Sequence, residues 1–311
     1  MKIVSIMWNA YVPILQRAAA AADADLTIFP NRILEESPEQ CEKAIRACES
    51  ADVLLLYRTS HMFWTGMEDE IRRIRKKVPV ICVGYEPSYW ELSTVDHAVA
   101  ANCYAYLTYN GEENLRQMFR YIKSVIRRTG EQVPPPAPVP WQGLYHPDSP
   151  NAFIRTDDYL AWYRSRREYD ERPWVGLLLS RVAWVSQSLA IEDTLIRQLE
   201  AQDLNVIPVF TYSIRDDDLG ARGMAEVIRE YLTLGGKPRV QAIVKLVSFM
   251  VGAAKGSESD AKSAESGSEL LARLNIPVFQ PVITFYKSLE DWETSSGITD
   301  DVTWCVAMPE F

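Results

Sequence analysis

Over residues 1–129, short runs of β-forming residues alternate with helical patterns, and that alternation restricts the fold more than any other feature of the chain. The runs are 2–8, 25–29, 53–58, 79–84 and 104–109. The helical patterns are 12–22, 38–48, 68–75 and a shorter one at 95–101, with 111–128 closing the series. A strand reaches a parallel neighbour only through a crossover long enough to hold a helix. Strict alternation therefore predicts a first α/β domain, 1–129, with a parallel sheet of five strands covered on both faces, of flavodoxin- or Rossmann-like type.

The pattern then breaks. Pro134, Pro135, Pro136, Pro138 and Pro140 rule out helix and central strand, because proline lacks the donor and fixes φ. Residues 130–173 are predicted to be a Pro-rich, extended connector followed by a docked segment from Trp141 to Asp148. Within it 157–167 forms a helix that buries Tyr159, Trp162 and Tyr163. A second α/β domain, 174–311, follows. Strands are expected at 175–179, 204–210, within 240–249, at 276–283 and at 302–308, with helices at 189–202 and 219–233. Residues 252–268, rich in Gly, Ser, Ala, Lys, Asp and Glu, are expected to be a flexible surface loop or disordered. A strand that runs into Phe311 without a closing helix suggests an incomplete domain.

Composition narrows the partners. A net charge of −9 argues against nucleic acid, which needs a basic face. The run Arg72, Arg73, Arg75, Lys76 and Lys77 falls at a helix end, where cations favour the dipole and water. No stretch approaches the roughly 20 apolar residues that cross a bilayer, and 2–7 reads as a first strand rather than a signal peptide. A cytoplasmic location is expected. Five cysteines, odd in number and without a C-x-x-C pair, read as reduced thiols rather than a disulfide framework or metal site.

Several catalytic classes lack their motifs. Gly235-Gly236-Lys237-Pro238 is a turn and not a phosphate loop, and no G-x-G-x-x-G, H-E-x-x-H or G-x-S-x-G occurs. The candidate ligand residues instead lie just after the strands, where parallel sheets open their crevices. Arg58, His61 and Trp64 follow the third run, Tyr89 and Trp90 the fourth, and Arg181, Trp184 and Ser186 the first strand of the second domain. His61 suits a metal, a polar substituent or a turn cap; Tyr89 and Trp90 suit a stacked planar ring or packing between domains. Arg181 should emerge at the crevice, to meet a carboxylate or to form a structural ion pair. Ser186 and Ser188 are expected to cap the helix at Leu189, Asp96 to sit at a helix start, and Asp216 to Asp218 to form an acidic capping turn. Aromatic rings beside Arg and His favour a large, flat, partly charged ligand.

Taken together, several segments resemble the large subunit of ATP-dependent cobaltochelatase and the related magnesium chelatase. They are 2–8, Tyr57-Arg58-Thr59-Ser60-His61-Met62-Phe63-Trp64, 87–96, 111–114, Pro140-Trp141-Gln142-Gly143-Leu144-Tyr145-His146-Pro147-Asp148, 205–210, 276–283 and 307–310. The resemblance is collinear and spans essentially the whole chain; it departs from the usual pattern at 180–187. It implies ATP-dependent insertion of Co²⁺ into a corrin precursor, hydrogenobyrinic acid a,c-diamide, in cobalamin biosynthesis. The large subunit of such an enzyme binds the tetrapyrrole, and separate AAA+-type subunits use ATP-Mg. The magnesium chelatase counterpart acts on protoporphyrin IX. The resemblance assigns no catalytic residue, bound cofactor or metal ligand to these positions, and this segment alone should be inactive. The eight strand-end residues would line the tetrapyrrole site. The rival is a stand-alone two-domain protein hinged on a small ligand; a glycosyltransferase shares only the architecture.

Overall fold

The computed structural model describes residues 1–166, 172–247, 251–252, 267–281, 283 and 289–295. The chain divides into two compact units, Met1–Val139 and Pro140–Phe311.

The first unit runs β1 (Lys2–Met7), α1 (Val12–Ala21), β2 (Asp25–Pro30), α2 (Asn31–Glu36), α3 (Pro38–Glu49), β3 (Val53–Tyr57), α4 (Phe63–Ile74), β4 (Val80–Val83), α5 (His97–Tyr109) and α6 (Glu112–Arg127). Short 3-10 turns lie at Asn9–Tyr11 and Pro87–Leu92. The strands pair in parallel in the order β2-β1-β3-β4. β1, β3 and β4 are almost wholly buried, as expected of a sheet covered on both faces. Helix starts follow local chemistry. Ser37 accepts from the Gln40 amide with Pro38 just inside α3, and Asp96 accepts from the Ala98 amide to open α5.

The strand expected at 104–109 is instead the second half of α5. Ala100, Cys103, Tyr106 and Leu107 are its buried positions, a spacing of three to four that only a helix puts on one face. The sheet therefore has four strands. The order still reverses between β1 and β3, and the ligand crevice of a flavodoxin-like sheet opens at that reversal.

The second unit contains β5 (Gln142–Leu144), α7 (Thr156–Arg166), β6 (Trp174–Ser180), α8 (Arg181–Val185), α9 (Ala190–Ala201), β7 (Asn205–Thr211), α10 (Met224–Leu232), the hairpin β8 (Thr233–Leu234) and β9 (Lys237–Pro238), β10 (Ala242–Lys245), α11 (Gly267–Leu274), β11 (Val278–Phe279) and α12 (Leu289–Thr294). Among the described residues the main sheet has the order β11-β10-β6-β7-β5, parallel except for the edge strand β5. Gly143 lets β5 approach β7: a Cβ there would lie 2.8 Å from the Phe210 ring and 2.9 Å from the Phe153 carbonyl.

The segment after Trp141 is held to this unit by its side chains. The Asp148 amide donates to His146 Nδ1, so the buried His146 carries its proton on Nε2 and donates to Glu200 Oε1 at 3.3 Å. Tyr163 donates to the same carboxylate at 2.8 Å. Asp148 accepts from Arg166 and Arg197, and these guanidiniums, Arg197 first, hold its carboxyl well below the usual carboxylate range. α10 starts at Met224 rather than near Leu219, because residues 216–221 close a tight turn with Gly220 at φ +68°. The Asp216 carboxylate accepts from the Leu219 amide within that turn and does not cap the helix. The strand expected at 302–308 and most of the 252–268 loop lie outside the described residues; 267–268 open α11.

Candidate functional site

The carboxyl ends of β1, β3 and β4, neighbours in the sheet, carry a line of rings in two groups, one after β1 and β3 and one after β4. Trp8, just past β1, is 41% exposed and meets the edge of His61 at 5.7 Å. His61 touches Phe63 at 6.0 Å. The Arg58 guanidinium lies over the Tyr89 ring at 4.8 Å, and Tyr89 meets the exposed Tyr85 at 5.8 Å. Met62 adds an exposed apolar side chain beside His61.

Under this line lies a buried polar core built by three elements. Thr59 Oγ1 is 3.2 Å from Asn31 Nδ2, 3.2 Å from Trp64 Nε1 and 2.8 Å from His61 Nδ1. α2 also supplies Glu35, whose two carboxylate oxygens accept from the Met62 and Phe63 amides at the start of α4. A carboxylate at those free amides is the favourable charge for a helix N-terminus. The β3–α4 loop is thus fixed from outside its own sequence.

Arg58 is committed internally. It pairs with Glu68 at 3.0 Å and donates to the Thr59 carbonyl. Arg72 first, and Arg58 with it, hold the Glu68 carboxyl below its ordinary range. Trp64 is fully buried and faces the core with Met67, Ile71 and Ile74, so it is the floor of the site and not its wall. Trp90 is half-buried, donates to the Gly84 carbonyl at 2.9 Å, and packs on His97 and Tyr104. Of the five first-unit candidates, His61 and Tyr89 stand along the line, Arg58 backs it, and Trp64 and Trp90 support it.

In the second unit the three candidates are packed inward. Arg181 is 2% exposed; its Nε donates to the Pro140 carbonyl at 2.8 Å and its guanidinium lies 4.1 Å over Trp141. It does not emerge at a crevice, because Trp141 covers it from 40 residues away. Trp184 stacks on Phe210 with centroids 3.9 Å apart and planes 6° apart. Ser186 is no cap for α9: its hydroxyl donates back to the Val182 carbonyl at the end of α8, while Ser180 caps the start of that helix.

Three of the five cations in the basic run make local contacts at the surface: Arg72 pairs with Glu68, Arg73 with Glu49 and Glu70, and Arg75 donates to the Glu91 carbonyl. Sequence reasoning missed Trp8, Asn31, Glu35, Thr59 and Tyr85. Trp8 was legible as the first residue beyond β1 at the reversal point; Thr59 and Asn31 carry no sequence signal, since their role depends on three elements meeting. Among the described residues no helix is long and apolar enough to cross a membrane, and no three His, Cys, Asp or Glu side chains gather into a metal cage.

Known proteins share this sequence and architecture. An uncharacterized protein of Methanocaldococcus jannaschii is 30% identical over 322 residues, covering 100% of this chain and 23% of the relative. A magnesium-chelatase subunit of Chlorobaculum parvum is 28% identical over 211 residues, covering 67% of this chain and 16% of that protein. Among solved structures, the catalytic subunit of cobaltochelatase from Mycobacterium tuberculosis superposes with a TM-score of 0.57 at 17% identity, over 99% of this chain and 24% of that one. The chain thus spans about a quarter or less of the length of these relatives. The family model described as CobN/Magnesium Chelatase matches residues 104–311. The chain belongs to the CobN/magnesium chelatase family.

Proposed function

We propose that this chain is the N-terminal part of the tetrapyrrole-binding large subunit of a metal chelatase, and that the strand ends of its first unit form part of the macrocycle site. One observation carries the reading: the Trp8–His61 pair at the ends of β1 and β3 and the Tyr89–Tyr85 pair beyond β4 set half-buried and exposed rings along neighbouring strand ends at the reversal point of a parallel sheet. Rings so placed offer π-faces and edges to a large planar ring. Arg58, the cation behind it, is already paired with Glu68, so the wall is apolar rather than ionic. Trp64, Thr59 and Glu35 hold the wall still, which lowers the ordering cost of binding. The metal, Co²⁺ in the reading favoured here, is substrate. No cofactor is assigned to the chain; AAA+-type partner subunits supply ATP hydrolysis in the cytoplasm, and Co²⁺ enters a corrin precursor.

A second reading, Mg²⁺ insertion into protoporphyrin IX, is favoured by the 28% identity with a magnesium-chelatase subunit. Titrating the chain in parallel with hydrogenobyrinic acid a,c-diamide and protoporphyrin IX, followed by quenching of its nine tryptophans, separates the two. Saturable quenching by the corrin precursor alone supports cobalt, by protoporphyrin alone supports magnesium. No saturable response to either would sink the assignment of the macrocycle site to this unit.

A further inference from the structure

The three contacts of Thr59 settle which way its hydroxyl proton points, and with it the chemistry His61 presents outward. A hydroxyl oxygen carries two lone pairs and one proton. Asn31 Nδ2 and Trp64 Nε1 are donors, and both lie 3.2 Å from Oγ1; together they fill the lone pairs. The remaining contact, 2.8 Å to His61 Nδ1, is then the hydroxyl's own O–H donating to the ring. The Asn31 orientation is consistent with this. As placed, it leaves its buried Oδ1 as the orphan, whereas turning the amide over would orphan the NH₂ group, and buried unpaired N–H groups are the rarer defect. Trp64 cannot be turned into an acceptor, since an indole nitrogen only donates.

We infer that His61 is held with its proton on Nε2, and that it serves as a hydrogen-bond donor to an acceptor on the bound macrocycle rather than as a ligand for the metal ion. In neutral imidazole one nitrogen donates and the other accepts; Thr59 takes the acceptor, so Nε2–H is what remains. That nitrogen has no protein partner among the described residues. A metal needs a lone pair on the nitrogen it binds, and the only lone pair is turned inward to Thr59. The ligand chemistry that fits is a planar apolar body with a peripheral carbonyl or carboxylate oxygen. This rests on the tetrapyrrole reading for the identity of the ligand; the proton's position does not.

The test is a long-range ¹H–¹⁵N correlation of the imidazoles in the uniformly labelled chain, with His61 assigned by its loss in His61→Gln. The free chain should show His61 as the Nε2–H tautomer, and Zn²⁺ alone should move neither nitrogen. The Nδ1–H tautomer, or a Zn²⁺-induced shift at Nε2, would overturn the inference. With the macrocycle that binds, His61→Gln, which keeps an N–H at the same reach, should hold affinity within about twofold, and His61→Leu should lose about five- to tenfold. Equal losses in both variants would also overturn it. If no macrocycle binds, the proposed function fails, and the tautomer and Zn²⁺ measurements on the free chain decide the inference.

Discussion

Replacing Gly84 with alanine should destabilise the first unit and disturb its strand-end wall, while the same change at Gly66 should stabilise it. Gly84 directly follows β4, where the backbones of the β3 and β4 ends run against one another. A Cβ at Gly84 would lie 2.5 Å from the Arg58 carbonyl oxygen and 2.9 Å from Tyr89 Cδ2. Ordinary carbon–oxygen contacts begin near about 3.3 Å, so the backbone of Arg58 must retreat by most of an ångström. It cannot do so freely, because the Arg58 amide donates to the Val83 carbonyl at 2.8 Å and Trp90 holds the Gly84 carbonyl. Overpacking of this kind costs about 2 kcal/mol. Gly66 lies in α4 with nothing within 4 Å of its Cβ position, and Gly→Ala in a helix contributes roughly 0.5–1 kcal/mol. Amide hydrogen exchange of β3 and β4 reads the unit by itself. Protection should fall by about thirtyfold in Gly84→Ala and rise by about threefold in Gly66→Ala. A neutral Gly84→Ala, or the same sign for both, would refute the close approach described here.

Further outcomes follow from the same contacts. Asp148→Asn should cost about 1 kcal/mol at neutral pH, discounted for partial exposure of the Arg166 and Arg197 pair. Because the folded carboxyl is depressed, that difference should be fully present above the unfolded value of about 3.9. It should vanish as pH falls through the folded value, as stability curves of both proteins against pH would show. A thiol reagent should label Cys41 in the native chain before Cys48, Cys82 or Cys103, since burial pushes those three up to about 12 and Cys41 is only partly buried; mass spectrometry of the peptides would show the order. Arg58→Lys should keep the charge opposite Glu68 but lose the guanidinium over Tyr89 and Trp64. Tyr89 resonances should shift, and macrocycle affinity should drop by a few fold.

Much of the fold was legible because burial on both faces writes continuous apolar strands. β1, β3, β4, β6 and β7 fall where runs of Val, Ile and Leu predict them. The run Tyr104-Ala105-Tyr106-Leu107-Thr108-Tyr109 misled for a physical reason: six apolar and β-forming residues fit either period, and only the cap at Asp96 and the buried partners Ala100 and Cys103 decide it. The site was half legible. Strand-end position put His61 and Tyr89 among the rings of the candidate site, but burial of Arg181 beneath Trp141 depends on a segment 40 residues earlier packing on β7. The fixing of His61 depends on Asn31, Thr59 and Trp64 converging from different elements. Neither pairing leaves a mark in local pattern.

The most direct test of the central claim compares macrocycle binding by Trp8→Leu and Trp292→Leu. Both indoles are exposed, Trp8 at the strand ends of the first unit and Trp292 on α12 of the second. Loss of a ring that stacks on the ligand should weaken tetrapyrrole affinity by about tenfold or more in Trp8→Leu, with Trp292→Leu unchanged. Unchanged affinity in Trp8→Leu, or the loss appearing in Trp292→Leu instead, would contradict placement of the site at the ends of β1, β3 and β4.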